Sequence, residues 1–177
     1  MAIETQSTAR SARHGPNPLV IALGVVFVMA LVQATLVSRV RFMGACPNLL
    51  LVVVVSWALL RGVLPALPIA FVSGLVFDLL VGLPLGASSL GLMATTSLAG
   101  LGTRRVFSTN IIWPALLVAL ATPIYAFFVL AALQFTGATV DWAEIALEVV
   151  APELALNVLL TLIVYPSMRR LMDILHP

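Results

Sequence analysis

Charge is scarce in this sequence: only 9% of its 177 residues are charged, and none is lysine. A soluble domain usually has about 25% charged residues. By contrast, 62% of this chain is hydrophobic, and its mean hydropathy is +1.15. A water-soluble fold of this length cannot bury so much apolar surface. The composition therefore excludes a soluble enzyme, a disordered tail and a disulfide-stapled secreted module, and it indicates an integral membrane protein.

Residue types that carry catalysis or hold metals are also few. The one cysteine, Cys46, excludes an internal disulfide and a multi-cysteine metal site. His14 and His176 both lie in polar terminal segments, and the chain has no Ser-His-acid set, zinc-protease motif or glycine-rich phosphate loop. We therefore expect no enzymatic activity, no cofactor and no metal. The arginines stand singly or in pairs between apolar runs, which favours membrane orientation over nucleic-acid binding.

Apolar runs predict an all-α integral membrane protein, a bundle of six transmembrane helices. A spanning helix needs about 20 mostly apolar residues. The run at 47–60 is shorter, so we expect a thinned bilayer or a helix buried by protein there. The predicted layout is a tail at 1–17, a membrane domain at 18–170 and a tail at 171–177, with spans at about 18–37, 47–60, 64–81, 85–101, 110–135 and 151–168.

The arginines predict how these spans are oriented. With both termini in the cytoplasm, seven arginines lie in inner segments, and only Arg39 and Arg41 lie in an outer one. This distribution follows the positive-inside rule, so the predicted topology is N-in, C-in. A cleavable signal peptide is the competing interpretation of the first run, because Val32-Gln33-Ala34 resembles a processing site. The run before it is long for such a peptide, so we expect the span to be retained.

The outer segment before the sixth span has a helical pattern of its own. Trp142, Ile145 and Val149 recur at the period of an amphipathic helix, and Asp141 stands where negative charge favours a helix start. We predict a short helix at about 141–150 on the outer membrane surface. The pattern fits a simple connector as well as a binding element.

Asp78 and Glu153 are the two acids inside predicted spans. A charge at the centre of a transmembrane helix costs about 2.5–3.5 kcal/mol on insertion scales, so each acid needs polar partners. We expect Asp78 to accept hydrogen bonds from backbone N–H groups of the 82–89 turn, or to meet a partner chain. Glu153 lies near the outer start of span six, and Asn157 lies one turn deeper on the same face. Both acids are candidates for structural or partner-binding roles.

Four motifs in the middle of the chain add a further clue. They are Cys46-Pro47-Asn48-Leu49-Leu50-Leu51, Arg61-Gly62, Ala70-Phe71-Val72-Ser73-Gly74-Leu75-Val76-Phe77-Asp78 and Pro84-Leu85-Gly86. Their order and intervals resemble the MreD family of bacterial rod shape-determining proteins over about residues 40–105. Two positions depart from the family pattern, since Ala70 replaces a frequent Gly and Asn48 a frequent Asp. The resemblance adds these structural or partner-binding candidates: Gly74, Phe71, Gly82, Pro84, Gly86, Pro47 and Asn48.

The resemblance implies a place in the complex that builds lateral peptidoglycan in rod-shaped bacteria. It implies a multi-pass protein of the cytoplasmic membrane that binds the transmembrane helix of MreC. RodA, its penicillin-binding transpeptidase and, indirectly, MreB filaments are further implied partners, together with membrane lipids. The family fold is similar to the substrate-binding components of energy-coupling-factor vitamin transporters. A vitamin-uptake subunit is therefore the alternative function.

Site chemistry favours the first of these two functions. A vitamin-binding subunit needs a concave pocket with several convergent polar groups and aromatic side chains. The outer halves of the spans offer mainly Asp78, Glu153 and Asn157, with few aromatic residues beyond Trp142. A scaffold needs only a shaped apolar surface with a few polar anchors. We therefore expect a non-catalytic scaffold or regulator of cell elongation that maintains rod shape.

Overall fold

The computed structural model describes residues 27–35, 45–102 and 111–175. Within these ranges the fold is all-helical, without a β-strand, and has six helical segments in chain order. This confirms the predicted all-α class, and the six helical segments fit the predicted number of helices. The segments are α1 (27–35), α2 (Leu49–Arg61), α3 (Val63–Val81), α4 (Ala87–Gly102), α5 (Ile112–Phe135), and a last one made of α6 (Trp142–Ile145), a π-helical turn (Ala146–Val150) and α7 (Ala151–Leu175).

Three of the described helical segments are long and apolar enough to cross a membrane. They are Val63–Val81, Ile112–Phe135 and Trp142–Asp173, with mean hydropathies of 2.1, 2.4 and 1.9. Many of their large apolar side chains point outward, among them Leu64, Phe127 and Ile163. Helices that are apolar all round belong in a membrane or in a protein core, so this outer surface suits contact with lipid or with other membrane helices.

Helix α2 is the centre of the bundle. It is 13 residues long and packs against α3, α4, α5 and α7. Its buried side chains lie on several sides of the helix, including Leu51, Val52 and Val55, so protein surrounds most of it. At 1.5 Å per residue α2 is about 20 Å long, shorter than a 30 Å hydrocarbon core. Of the two explanations considered for this short run, burial by protein is the one the structure supports.

Helices α3 and α4 form a tight hairpin that shares more contacts than any other helix pair described. Helix α3 ends at Gly82, whose left-handed φ of 77° is a conformation that glycine adopts at low cost. Midway along α3, Gly74 lies directly against the start of α4. A Cβ atom at this position would stand 2.5 Å from the Cα and N atoms of Ser89. The absence of a side chain at Gly74 therefore sets the separation of the two helices.

The bundle has two chemically different ends. At one end the N-termini of α2 and α7 lie together, because the backbone N–H of Asn48 donates to Asn157 Oδ1. At the other end the α2–α3 junction meets the last turns of α4, where a Cβ on Gly100 would stand 2.6 Å from Val63 Cγ2. We call the first the polar end. The second carries Arg61 and is called the arginine end.

The last helical segment differs from the sequence prediction. A separate surface helix was expected at about 141–150, but residues from Trp142 onward continue through the π-helical turn into α7 without a break. In that turn the Ala151 N–H donates to Ala146 O, five residues back. Pro152 follows and has no N–H to donate, so an ordinary helical bond is missing there. The wider π-helical turn therefore lets the helix continue past Pro152.

The C-terminal boundary also differs, because α7 continues to Leu175 and includes most of the segment predicted as a tail at 171–177. Exposed arginines near the end of a helix need not stop it, since arginine has a high helix propensity. Several predictions fall outside the described residues. They are the tail at 1–17, the first part of span 18–37, the segments with Arg39, Arg41, Arg104 and Arg105, and residues 176–177.

Candidate functional site

The Asp78 carboxylate joins α3 to α4. Its side chain is fully buried. The N–H of Gly86 donates to Asp78 Oδ2 at 2.9 Å, and the N–H of Ser88 donates to Oδ1 at 3.1 Å. The carbonyl of Asp78 accepts from the N–H groups of Gly82 and Leu83 as α3 ends. These contacts confirm the hydrogen bonding predicted between Asp78 and the following turn.

This arrangement explains how an acid can be buried without a cation. The first N–H groups of a helix have no partner within the helix and carry partial positive charge. Asp78 accepts from two such groups at the start of α4, so it acts as the cap of the next helix. Hydrogen bonds from N–H groups to a carboxylate are stronger than those between neutral groups. The role of Asp78 within the chain is therefore to fix the α3–α4 hairpin.

A second polar cluster joins α2, α5 and α7 at the polar end. Asn157 is fully buried, and its Oδ1 accepts from the Asn48 N–H at 2.7 Å. Its Nδ2 donates to Thr122 Oγ1 at 3.1 Å. The partly buried Glu153 lies beside the side chains of Asn48 and Asn157. Asn48 in turn caps α2, since its Oδ1 accepts from the Leu51 N–H at 3.0 Å.

Helix α5 connects the two clusters, because Tyr125 and the Thr122 of the second cluster lie one turn apart on it. The Tyr125 hydroxyl donates to Ser88 Oγ at 3.0 Å. Ser88 is the residue whose N–H reaches Asp78. We call the two clusters together the polar network. Its hydrogen bonds extend across α2, α3, α4, α5 and α7 and involve Asp78, Ser88, Tyr125, Asn48, Asn157 and Thr122, with Glu153 beside them.

Helix α1 is attached beside this network. Gln33, which is almost fully buried, donates from Nε2 to the Pro47 carbonyl at 3.1 Å. Its Oε1 accepts from the Leu49 N–H at 2.8 Å. One side chain thereby satisfies a carbonyl and an N–H at the start of α2. In a bundle surrounded by lipid such bonds hold helices together, because the backbone groups have no water to bind.

The structure brings together part of the predicted set of site residues. Asp78 and Gly86 bond directly, and Asn48, Glu153 and Asn157 form the second cluster. Gly74, Gly82, Pro84 and Pro47 support the hairpin or the start of α2 through backbone geometry and backbone carbonyls. Phe71 differs from the others, because its side chain is 47% exposed and points away from the network.

Sequence reasoning missed four members of the site and its surroundings: Gln33, Ser88, Thr122 and Tyr125. Each is a polar residue inside or beside an apolar run, and that isolation was the available signal. A polar side chain in a membrane helix needs a partner, so each could have been identified as a contact between helices. The identity of the partner could not be read from spacing alone.

The polar network is suited to holding helices, because its groups are hydrogen-bonded to one another. Two surface depressions lie away from it, at 139–145 and beside Gln134. Among the described side chains, no group of three or more His, Cys, Asp or Glu residues is placed to hold a metal ion.

Ser56 Oγ and Trp57 Nε1 are buried in α2 without a hydrogen-bond partner, and nothing in the structure explains them.

Comparison with known proteins identifies the family. The family model of MreD, rod shape-determining protein MreD, matches residues 17–175. The chain belongs to the MreD family. MreD proteins are membrane proteins, and membership implies a role in rod shape determination. No curated protein and no solved structure matches the chain.

Replacing Asp78 tests its role as the cap of α4. Asp78→Ala removes the acceptor of two buried N–H groups and is expected to lower the free energy of unfolding by about 2 kcal/mol or more. Asp78→Asn keeps one acceptor oxygen and is expected to cost less. Reversible denaturation in mixed detergent micelles measures both, with the exposed Asp173→Asn as control. Equal stability of Asp78→Ala and the parent chain would contradict the assigned role.

A double-mutant cycle tests the link between the two clusters. Tyr125→Phe and Ser88→Ala each remove the bond between their hydroxyl groups, and their effects on stability should be less than additive. The expected coupling is about 0.6 kcal/mol, the average for polar contacts between membrane helices. Tyr165→Phe is the matched control, because the Tyr165 hydroxyl has no hydrogen bond to another described residue. Strict additivity of Tyr125→Phe and Ser88→Ala would rule out the link.

Proposed function

We propose that this chain is a non-catalytic scaffold of the bacterial cell-elongation complex, which maintains rod shape by binding MreC in the cytoplasmic membrane. Membership of the MreD family supports the role in rod shape. The scaffold role is supported by the polar network, whose groups bond to other groups of the same chain. Its groups bond to one another and hold five helices in fixed positions, which gives the bundle a defined apolar outer surface for partner helices.

The transmembrane helix of MreC is the proposed main partner, with the outward face of α3 as its contact. Among the helices from α2 to α7, α3 packs only against α2 and α4, which leaves it an outward face. Its outward face carries Leu64, Phe71 and Leu79, of which Leu79 is 65% exposed. The small residues Ala70 and Gly74 are buried within the bundle, so contacts to a partner use these larger side chains.

Further partners are proposed on the strength of the family resemblance. RodA and its penicillin-binding transpeptidase would join the same complex, and MreB filaments would be connected indirectly. The similarity in fold to energy-coupling-factor transporter components stays a prediction, as does vitamin uptake as the alternative function. The fixed position of α3, which Asp78 holds against α4, is what favours the scaffold.

We also propose a multi-pass topology with both termini in the cytoplasm. Among the described residues, Arg61, Arg169 and Arg170 lie toward the arginine end, and the acids other than Asp173 lie toward the polar end or in the segment leading into it. Arginine is retained on the cytoplasmic side of bacterial membrane proteins. This separation of charge supports an arginine end that faces the cytoplasm.

Co-purification tests the scaffold and the proposed face. In the native bacterium, the Phe71→Ala/Leu79→Ala chain is expected to retain several-fold less MreC than the parent chain, and its cells should become wider. The matched control is Leu116→Ala/Leu120→Ala on α5, where both residues are exposed to a similar degree. Equal recovery with both variants would contradict the α3 contact. Recovery of an ATPase transport module in place of MreC would support the alternative function.

Thiol labelling tests the orientation. In a Cys46→Ser background, Glu148→Cys is expected to react with a membrane-impermeant maleimide in spheroplasts. Arg170→Cys is expected to react only after the membrane is opened, because the proposal places it in the cytoplasm. Both positions are exposed in the fold, so burial does not confound the result. The reverse pattern would overturn the proposed orientation.

A further inference from the structure

The arginine end contains three exposed arginines at one level. Asn48 and Asn157 are bonded to each other, and α2 and α7 run in parallel from this point. Arg61 follows Asn48 by 13 residues, and Arg170 follows Asn157 by 13 residues. At 1.5 Å per residue both arginines lie about 20 Å from the shared contact, so they reach the same depth. Arg169 is adjacent to Arg170.

These guanidinium groups lack counter-charges. Among the described residues no ion pair neutralises Arg61, Arg169 or Arg170, and the single acid at this end is Asp173. Three arginines against one aspartate leave a net charge of +2. Arginine binds phosphate oxygens through two parallel hydrogen bonds, which makes it well suited to phosphate recognition. The three guanidinium groups are therefore available to bind an anion.

The start of α3 adds backbone donors next to Arg61. Helix α3 begins at Val63, and its N-terminus has neither a side-chain cap nor an acid in its first turn. Free N–H groups at a helix N-terminus attract phosphate. The N–H groups of Val63 and Leu64, which have no side-chain cap, therefore lie next to the Arg61 guanidinium as further donors.

Apolar side chains lie beside these donors. Leu64 is 84% exposed on α3, and Leu171 is 57% exposed directly after the arginine pair. A soluble anion gains nothing from exposed leucines. A phospholipid does, because its acyl chains cover apolar surface while its phosphate lies at the level of the arginines.

We propose that the arginine end is a binding site for an anionic phospholipid, with phosphate oxygens bound by Arg61, Arg169, Arg170 and the first N–H groups of α3. Three exposed arginines at one depth favour a headgroup with two phosphates, as in cardiolipin, over one with a single phosphate. The site rests on the membrane placement in the proposed function but does not require MreC. Its failure and the failure of the scaffold proposal are therefore separate results.

Native mass spectrometry of the purified chain, released from nanodiscs of phosphatidylcholine with one tenth cardiolipin, tests the site. The parent chain is expected to retain cardiolipin in preference to phosphatidylcholine. Each of Arg61→Gln, Arg169→Gln and Arg170→Gln should reduce that preference about fivefold, the value for one basic residue near an anionic surface. Leu64→Glu should also reduce the preference for cardiolipin, because it places a negative charge beside the phosphates. Loss of α3 would not explain that result, since an acid in the first turn stabilises a helix.

The control is Glu144→Gln/Glu148→Gln, which raises the net charge by two but alters the opposite end. It should leave cardiolipin binding unchanged, whereas a merely non-specific attraction would increase it and overturn the proposal. Full retention by the triple arginine variant would also overturn it. So would complete release of cardiolipin by inorganic phosphate, because that result would indicate a simple anion site without any contribution from the acyl chains.

Discussion

The bond between Asp78 and the first turn of α4 is the interaction on which the rest of the bundle depends. A buried carboxylate is stable here because two helix N–H groups with partial positive charge supply its hydrogen bonds. The same contact fixes the direction in which α4 leaves the turn. It thereby places Ser88 within reach of Tyr125 on α5, and Thr122 on the same helix bonds to Asn157 of α7. One capped helix end thus positions the rest of the polar network.

Local features of this fold could be predicted from the sequence, and distant pairings could not. The bond from Asp78 to its turn was foreseen because Gly86 is only eight residues away, so few chain paths connect them. Asn157 was placed on the same face of its helix as Glu153, but its contact with Asn48 crosses 109 residues. Periodicity gives the face of a helix and leaves the neighbouring helix undetermined.

Two boundaries were misread for a related reason. The sixth span was predicted to begin at 151, after a separate surface helix, and to end before the arginine pair, whereas the helix runs through both points. Proline removes one hydrogen bond, and a π-helical turn just before it accommodates that loss. The arginine pair marks the membrane boundary and does not alter the helical backbone. Sequence signals for the membrane boundary and for the helix end are therefore separate, and here they do not coincide.

The burial of α2 has a consequence for how the chain is made. Synthesis produces α2 before α4, α5 and α7, which cover it in the folded chain. At about 20 Å it is too short to cross a bilayer comfortably on its own. Its N-terminal backbone meets its partner Asn157 only after the start of α7 has been made. The central helix of the bundle is thus translated before several of the helices that enclose it.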